Sequence, residues 1–108
     1  MNDPIIEVFR LEILPKLIDL FQPEDVILFG SRVQGTTHDE SDLDVIVVSE
    51  CFRDVPQHER FPLVRKRIRT GYSIDYLCYT PEEFERMKTR SSVLENALTG
   101  PHQAVIGT

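Results

Sequence analysis

Three aspartates are the residues of this sequence most suited to chemistry. Asp42 and Asp44 stand two apart at the head of an apolar run, LDVIVV, and side chains two apart in a strand share a face. Carboxylates held that close repel each other unless a cation lies between them. Their hard oxygens suit Mg²⁺, which keeps several waters and is usually bound by one or two carboxylates plus substrate phosphates. On SDLD alone the pair reads equally well as a solvated strand end. Asp75 adds a third acid. It interrupts a second apolar stretch, SIDYLCY, between Ile74 and Tyr76, where a lone carboxylate is costly without a partner. If the two strands are neighbours, Asp75 can face Asp42 and Asp44. Three carboxylates on one sheet face can hold two divalent cations about 3.5–4 Å apart, an arrangement that stabilises both the entering and the leaving oxygen of an in-line displacement at phosphorus. The plain alternative for Asp75 is an edge residue turned to water.

A turn precedes the acids. Val26-Ile27-Leu28-Phe29 is a short apolar run that ends at Gly30-Ser31-Arg32, with Gly35 soon after. Gly30 permits close backbone approach. Ser31 begins a helical turn whose free N–H groups, with its hydroxyl, can hold an anion. GS by itself is a common turn dipeptide. Arg32 either meets a phosphate or an acidic neighbour, or is an exposed surface arginine. His38, in the loop before Asp42, reads first as an exposed loop histidine; His58 and His102 lack ligand-like spacing. The cluster Arg65-Lys66-Arg67-Arg69 reads first as a solvated helix face, with contact to a nucleotide or an acidic partner as the alternative. Tyr72, Tyr76 and Tyr79 are expected to pack, one of them being available to stack on a base.

These residues need elements to position them. Asp3-Pro4 caps and opens a helix, with Ile5, Ile6, Phe9 and Ile13 on its apolar face. Pro15 should kink or restart it, and Leu17, Ile18 and Phe21 carry the stripe on to Pro23. Strands are expected at Val26 to Phe29, Leu43 to Val48 and Ser73 to Tyr79. Between them lie one helical turn at 31–34, a polar loop at 36–41, a connection at 50–57 and a helix at 61–69 with Phe61, Val64 and Ile68 inward. Gly71 ends that helix. Thr80-Pro81-Glu82-Glu83 is a capping box that starts another. Its stripe is Phe84, Met87, Leu94 and Leu98; Ser91-Ser92 is a candidate break and Thr99-Gly100-Pro101 the stop. The tail from His102 is weakly patterned and expected to fray. The connection between the first two strands is ~13 residues, near the lower bound for a parallel crossover, so a small mixed sheet is expected.

Composition narrows the partners. The chain has 108 residues, a net charge of −6 and a pI of about 5.0. It reads as one domain over 1–108, with the motif-bearing part at about 5–98. The acidic balance argues against a general nucleic-acid binder, so phosphate must be met by a local site or a metal. Cys51 and Cys78 lack CxxC spacing and read as buried or inert thiols. No apolar run approaches the ~20 residues of a membrane span, which makes the cytoplasm the default and a membrane role unexpected.

The combination is more specific than its parts. Gly30-Ser31, ten intervening residues, Asp42-x-Asp44 and a later strand Asp75 resemble the DNA polymerase β-like nucleotidyltransferase superfamily, the fuller run being LFGSRVQG…SDLDVIVV. The short length and the TPEEFER segment are most similar to its minimal nucleotidyltransferase (MNT) branch. The resemblance implies an α/β (α+β) fold, a small mixed sheet with helices packed mainly on one side. It implies that Gly30 and Ser31 anchor the triphosphate, that Asp42 and Asp44 bind both Mg²⁺ ions, and that Asp75 completes the catalytic metal site and helps activate the acceptor hydroxyl. It further implies transfer of AMP from ATP to a hydroxyl, with release of pyrophosphate. Such domains commonly act as antitoxins that adenylylate, and assemble with, a HEPN-type toxin. Two alternatives stay open: a non-catalytic antitoxin acting by contact, and an adenylyltransferase of aminoglycoside-like molecules. The latter usually carry an added helical domain, for which this chain has no room. GPHQAVIGT is a poor match to the family's usual closing strand.

Overall fold

Apolar residues at helical spacing bury the first segment. In the computed structural model, which describes residues 4–30, 42–100 and 102–106, Ile5, Ile6, Phe9, Ile13, Leu17 and Phe21 are all buried. Helix α1 (Pro4–Val8) passes through a π-helical turn (Phe9–Ile13) into α2 (Leu14–Phe21). Pro15 accounts for the turn. It lacks an N–H and its ring crowds the carbonyl four residues back. The wider turn absorbs that crowding, and the Leu14 N–H donates to the Phe9 carbonyl, five residues back. The restart expected at Pro15 is therefore found, as a π-bulge rather than a break.

Among the described residues, four strands form one mixed sheet in the order β3-β2-β1-β4. They are β1 (Asp25–Phe29), β2 (Leu43–Val48), β3 (Ile74–Tyr79) and β4 (His102–Ile106). β1 is antiparallel to both β2 and β4, and β2 is parallel to β3. Strand alternation sends Leu43, Val45 and Val47, with Val26, Leu28, Ile74, Tyr76 and Cys78, to the larger core beneath α1, α2 and α3 (Gln57–Arg67). Ile27, Ile46 and Val48 face the other way. Phe84 of α4 (Pro81–Met87) and Leu94 of α5 (Ser92–Thr99) close a smaller core there. The main helical layer thus lies on one side, as expected.

Three expectations need correction. β4 replaces the frayed tail: Val105 and Ile106 pack against the larger core, and pairing with β1 satisfies backbone groups that an edge would leave open. The tail's apolar content was too thin to reveal a strand that borrows its stability from a neighbour. Next, α3 begins at Gln57, not Phe61, and ends at Arg67, not Arg69. Its buried positions are Arg60 and Val64, with Ile68 just beyond and Phe61 only half-buried. Finally, Cys51 is exposed, its thiol donating to the Phe21 carbonyl at 3.2 Å, whereas Cys78 is buried and burial pushes its thiol up to about 12. The capping box at Thr80 and Glu83 is present, and the break falls at Ser91, whose hydroxyl accepts from the Leu94 N–H. Among the described residues, no helix is long and apolar enough to cross a membrane.

Candidate active site

The antiparallel pairing of β1 with β2 brings the end of one strand to the start of the other. Phe29 is the register partner of Asp44, and Gly30 follows directly. Gly30 has φ +91°, a conformation that side chains disfavour, and a Cβ there would run into the Asp44 carboxylate. Two independent constraints therefore demand glycine at this turn. Ser31, Arg32 and His38, the other residues of the proposed anion turn and its loop, lie outside the described residues.

The parallel pairing of β2 with β3 supplies the second acid. Asp44 and Asp75 are register partners, so they share a sheet face on strands about 4.8 Å apart. The expectation that these two strands are neighbours holds, and the sheet brings the two carboxylates together. Like charges at paired positions are destabilising. The cost falls on Asp44, whose carboxyl is pushed from 3.8 up to about 6, first by burial, then by the negative charge of Asp75, then by that of Asp42. Asp42 sits one residue before β2 and is exposed. It also borders a cleft beside α3. All three acids thus gather at the same end of β2 and β3, Asp44 and Asp75 as a pair and Asp42 at the margin.

The donor set fits a hard divalent cation. Among the described residues, no three histidine, cysteine or carboxylate side chains form a ready-made metal cage. Mg²⁺ does not need one, because it completes its shell with water and phosphate oxygens. A half-buried carboxylate whose charge is opposed by two others is the electrostatic signature of a site that gains from a cation.

The remaining sequence candidates separate. His58 is exposed on α3, and the His102 ring lies 2.8 Å from the Gly100 carbonyl in β4. Arg65, Lys66 and Arg69 line the cleft that reaches Asp42, whereas Arg67 does not. One residue escaped sequence reasoning. Arg60 is 4% exposed and ion-paired with Glu83; its spacing from Val64 and Ile68, four and eight, was the available signal. Tyr76 packs as expected, at 4% exposure, but its hydroxyl is buried with no hydrogen-bond partner among the described residues. No sequence signal marks that.

Comparison with known proteins agrees with this geometry. The chain matches the nucleotidyltransferase domain family over residues 11–99. A Sulfolobus solfataricus protein classed as a nucleotidyltransferase has a similar crystal structure, 30% identical, with a TM-score of 0.56 over 75% of this chain and 74% of that one. The toxin–antitoxin MntA-HpeT in a mutant form shares the fold at 21% identity and a TM-score of 0.50, over 96% of this chain and 71% of that one. So does the BolA domain of SufE1 from Arabidopsis thaliana, at 20% identity and a TM-score of 0.53, over 77% of this chain and 99% of that one. Likeness of fold at that level does not distinguish chemistries. No protein of curated function matches the sequence. With β1, β2, β3 and the three acids inside the matched span, this chain belongs to the nucleotidyltransferase domain family.

Proposed function

We propose that this domain is a Mg²⁺-dependent enzyme that transfers AMP from ATP to a hydroxyl of a partner protein, acting as the antitoxin of a HEPN/MNT toxin–antitoxin pair. The observation that carries the reading is the register of Asp44 against Asp75, one residue across from the turn at Gly30. When bound, Mg²⁺ supplies charge neutralisation at the phosphates. Asp42 and Asp44 hold the cations, and the turn at Gly30 and Ser31, with Arg32, holds the triphosphate through backbone N–H groups and side-chain donors. Asp75 orients the acceptor hydroxyl and takes its proton. The acceptor oxygen forms its bond to the α-phosphorus as the bond to the β-phosphate oxygen breaks, and pyrophosphate leaves in line. The toxin partner is inferred from the sequence resemblance to minimal nucleotidyltransferases, and the fold shared with MntA-HpeT is compatible with it. The test is incubation with α-labelled ATP, Mg²⁺ and the product of the adjacent gene. Label is expected on that protein, and Asp42→Ala or Asp44→Ala should abolish it while the circular dichroism spectrum stays unchanged. Label undiminished in both variants would sink the proposal.

A further inference from the structure

A cleft of about 620 Å³ opens between α3 and the start of β3, a size in the range of ligand sites. Arg65, Lys66 and Arg69 line it, with Tyr72 beside them and Asp42 and Tyr76 also on its walls. The three cations are exposed and make no hydrogen bond or ion pair among the described residues. Arg53, Arg60 and Lys88, by contrast, are paired with Glu50, Glu83 and Glu85. A chain with 18 acids and 12 basic residues has ample means to neutralise such a cluster and leaves it open. Proximity to a helix C-terminus favours Arg65 and Lys66, but Arg69 lies beyond the helix end at Arg67. Tyr76 is a second, independent sign. Its hydroxyl lacks a partner among the described residues at 4% exposure, a cost that a group entering the cleft can remove.

Position says what the cleft serves. In-line displacement places the entering and leaving oxygens on opposite sides of phosphorus. The cleft lies on the α3 face of the sheet with Ile74 and Tyr76, whereas Asp44 and Asp75 share the other face; it touches the acids at Asp42, at the strand end, on the β3 side and away from Gly30. A triphosphate at the Gly30 turn therefore leaves the cleft free for a second ligand. We propose that this cleft seats a carboxylate-rich segment of the acceptor protein and so holds that protein against the strand ends that carry the acids. The acceptor's role rests on the transfer reading above; the binding of an acidic segment needs no ATP. A nucleic acid would require a basic face continuing along its backbone, which a net charge of −6 does not provide.

Two measurements test it. Fluorescence anisotropy with the full chain, without nucleotide, compares a labelled hexaglutamate peptide ending in tyrosine, its hexaglutamine counterpart and a single-stranded RNA oligomer. The hexaglutamate peptide should bind, and the double variant R65E/R69E should weaken it about tenfold or more, while R86E on α4 should not. Equal binding by R65E/R69E, no binding by the wild type, or tighter binding of the RNA through Arg65 and Arg69 overturns the proposal. In the labelling assay, R65E/R69E should raise KM for the acceptor and leave KM for ATP unchanged. Transfer with an unaltered acceptor KM removes the cleft's role and keeps the transferase; no transfer by the wild type removes the transferase and leaves the peptide titration to decide the cleft.

Discussion

Asp44 carries a conflict that a cation resolves. Its folded carboxyl sits near 6 against 3.8 for the free group, because burial, Asp75 and Asp42 all oppose its charge. The folded chain therefore binds more protons than the unfolded chain between about pH 4 and 6. From this group alone, stability of the cation-free protein should rise as pH falls through 6 toward 4, and the penalty should be fully present above 6. Asp44→Asn removes the penalty. At pH 7.5 with chelator, the variant should gain about 1 kcal/mol after allowance for solvent screening, read as a Tm higher by several degrees. Mg²⁺ with ATP should then raise the Tm of the wild type and leave the variant unmoved. A variant less stable than wild type in chelator would contradict this account. The same proton competes with the cation, so cation affinity should fall as pH drops through about 6.

At the scale of elements, Arg60 holds three parts of the fold together. Its guanidinium on α3 donates to the carbonyls of Val55 at 2.8 Å and Cys78 at 3.2 Å, to Gln57 at 2.6 Å, and twice to Glu83 on α4, and it lies over the Phe52 ring. Those bonds tie α3, the end of β3 and the start of α4. Glu83 in turn closes the capping box with Thr80. The Arg60 hydrogen bond is the main reason the Glu83 carboxyl sits below its ordinary 4.5. A carboxyl lowered in this way stabilises the fold above its unfolded value and loses that contribution as pH falls through the folded one. Arg60→Met keeps volume but strands Glu83 and two carbonyls, and should cost about 3 kcal/mol in urea denaturation at pH 7. The difference from wild type should shrink as pH falls below 4.5. A cost under about 1 kcal/mol would mean the network is ornamental.

For the molecule as a whole, β4 decides whether the sheet has an exposed edge at β1. β1 is an inner strand only because residues 102–106 return to pair with it, and Arg10 reaches across to Gln103 to join the first helical layer to that strand. Ending the chain at Gly100 strips this edge and uncovers core that Val105 and Ile106 now shield. The truncated protein should lose about 2 kcal/mol or more, measured by thermal unfolding, and should associate through the open edge, measured by light scattering. Unchanged stability and a monodisperse sample would show the strand to be dispensable.

Much of this was written locally in the chain. The helical stripe from Ile5 to Phe21, the three strands and the Thr80 capping box depend on contacts within a few residues, so periodicity and capping chemistry exposed them. The spacing of Gly30, Asp42, Asp44 and Asp75 carried the family resemblance, and the family match bears it out. What tertiary structure alone decided is which residues meet. Pairing register, a property of two strands at once, set Asp44 against Asp75 and against the turn at Gly30. Burial makes Arg60 a clamp, because its four-residue relation to Val64 turns it inward and the position of Glu83 gives it a partner. The C-terminal strand needed β1 beside it before its few apolar residues had anything to cover.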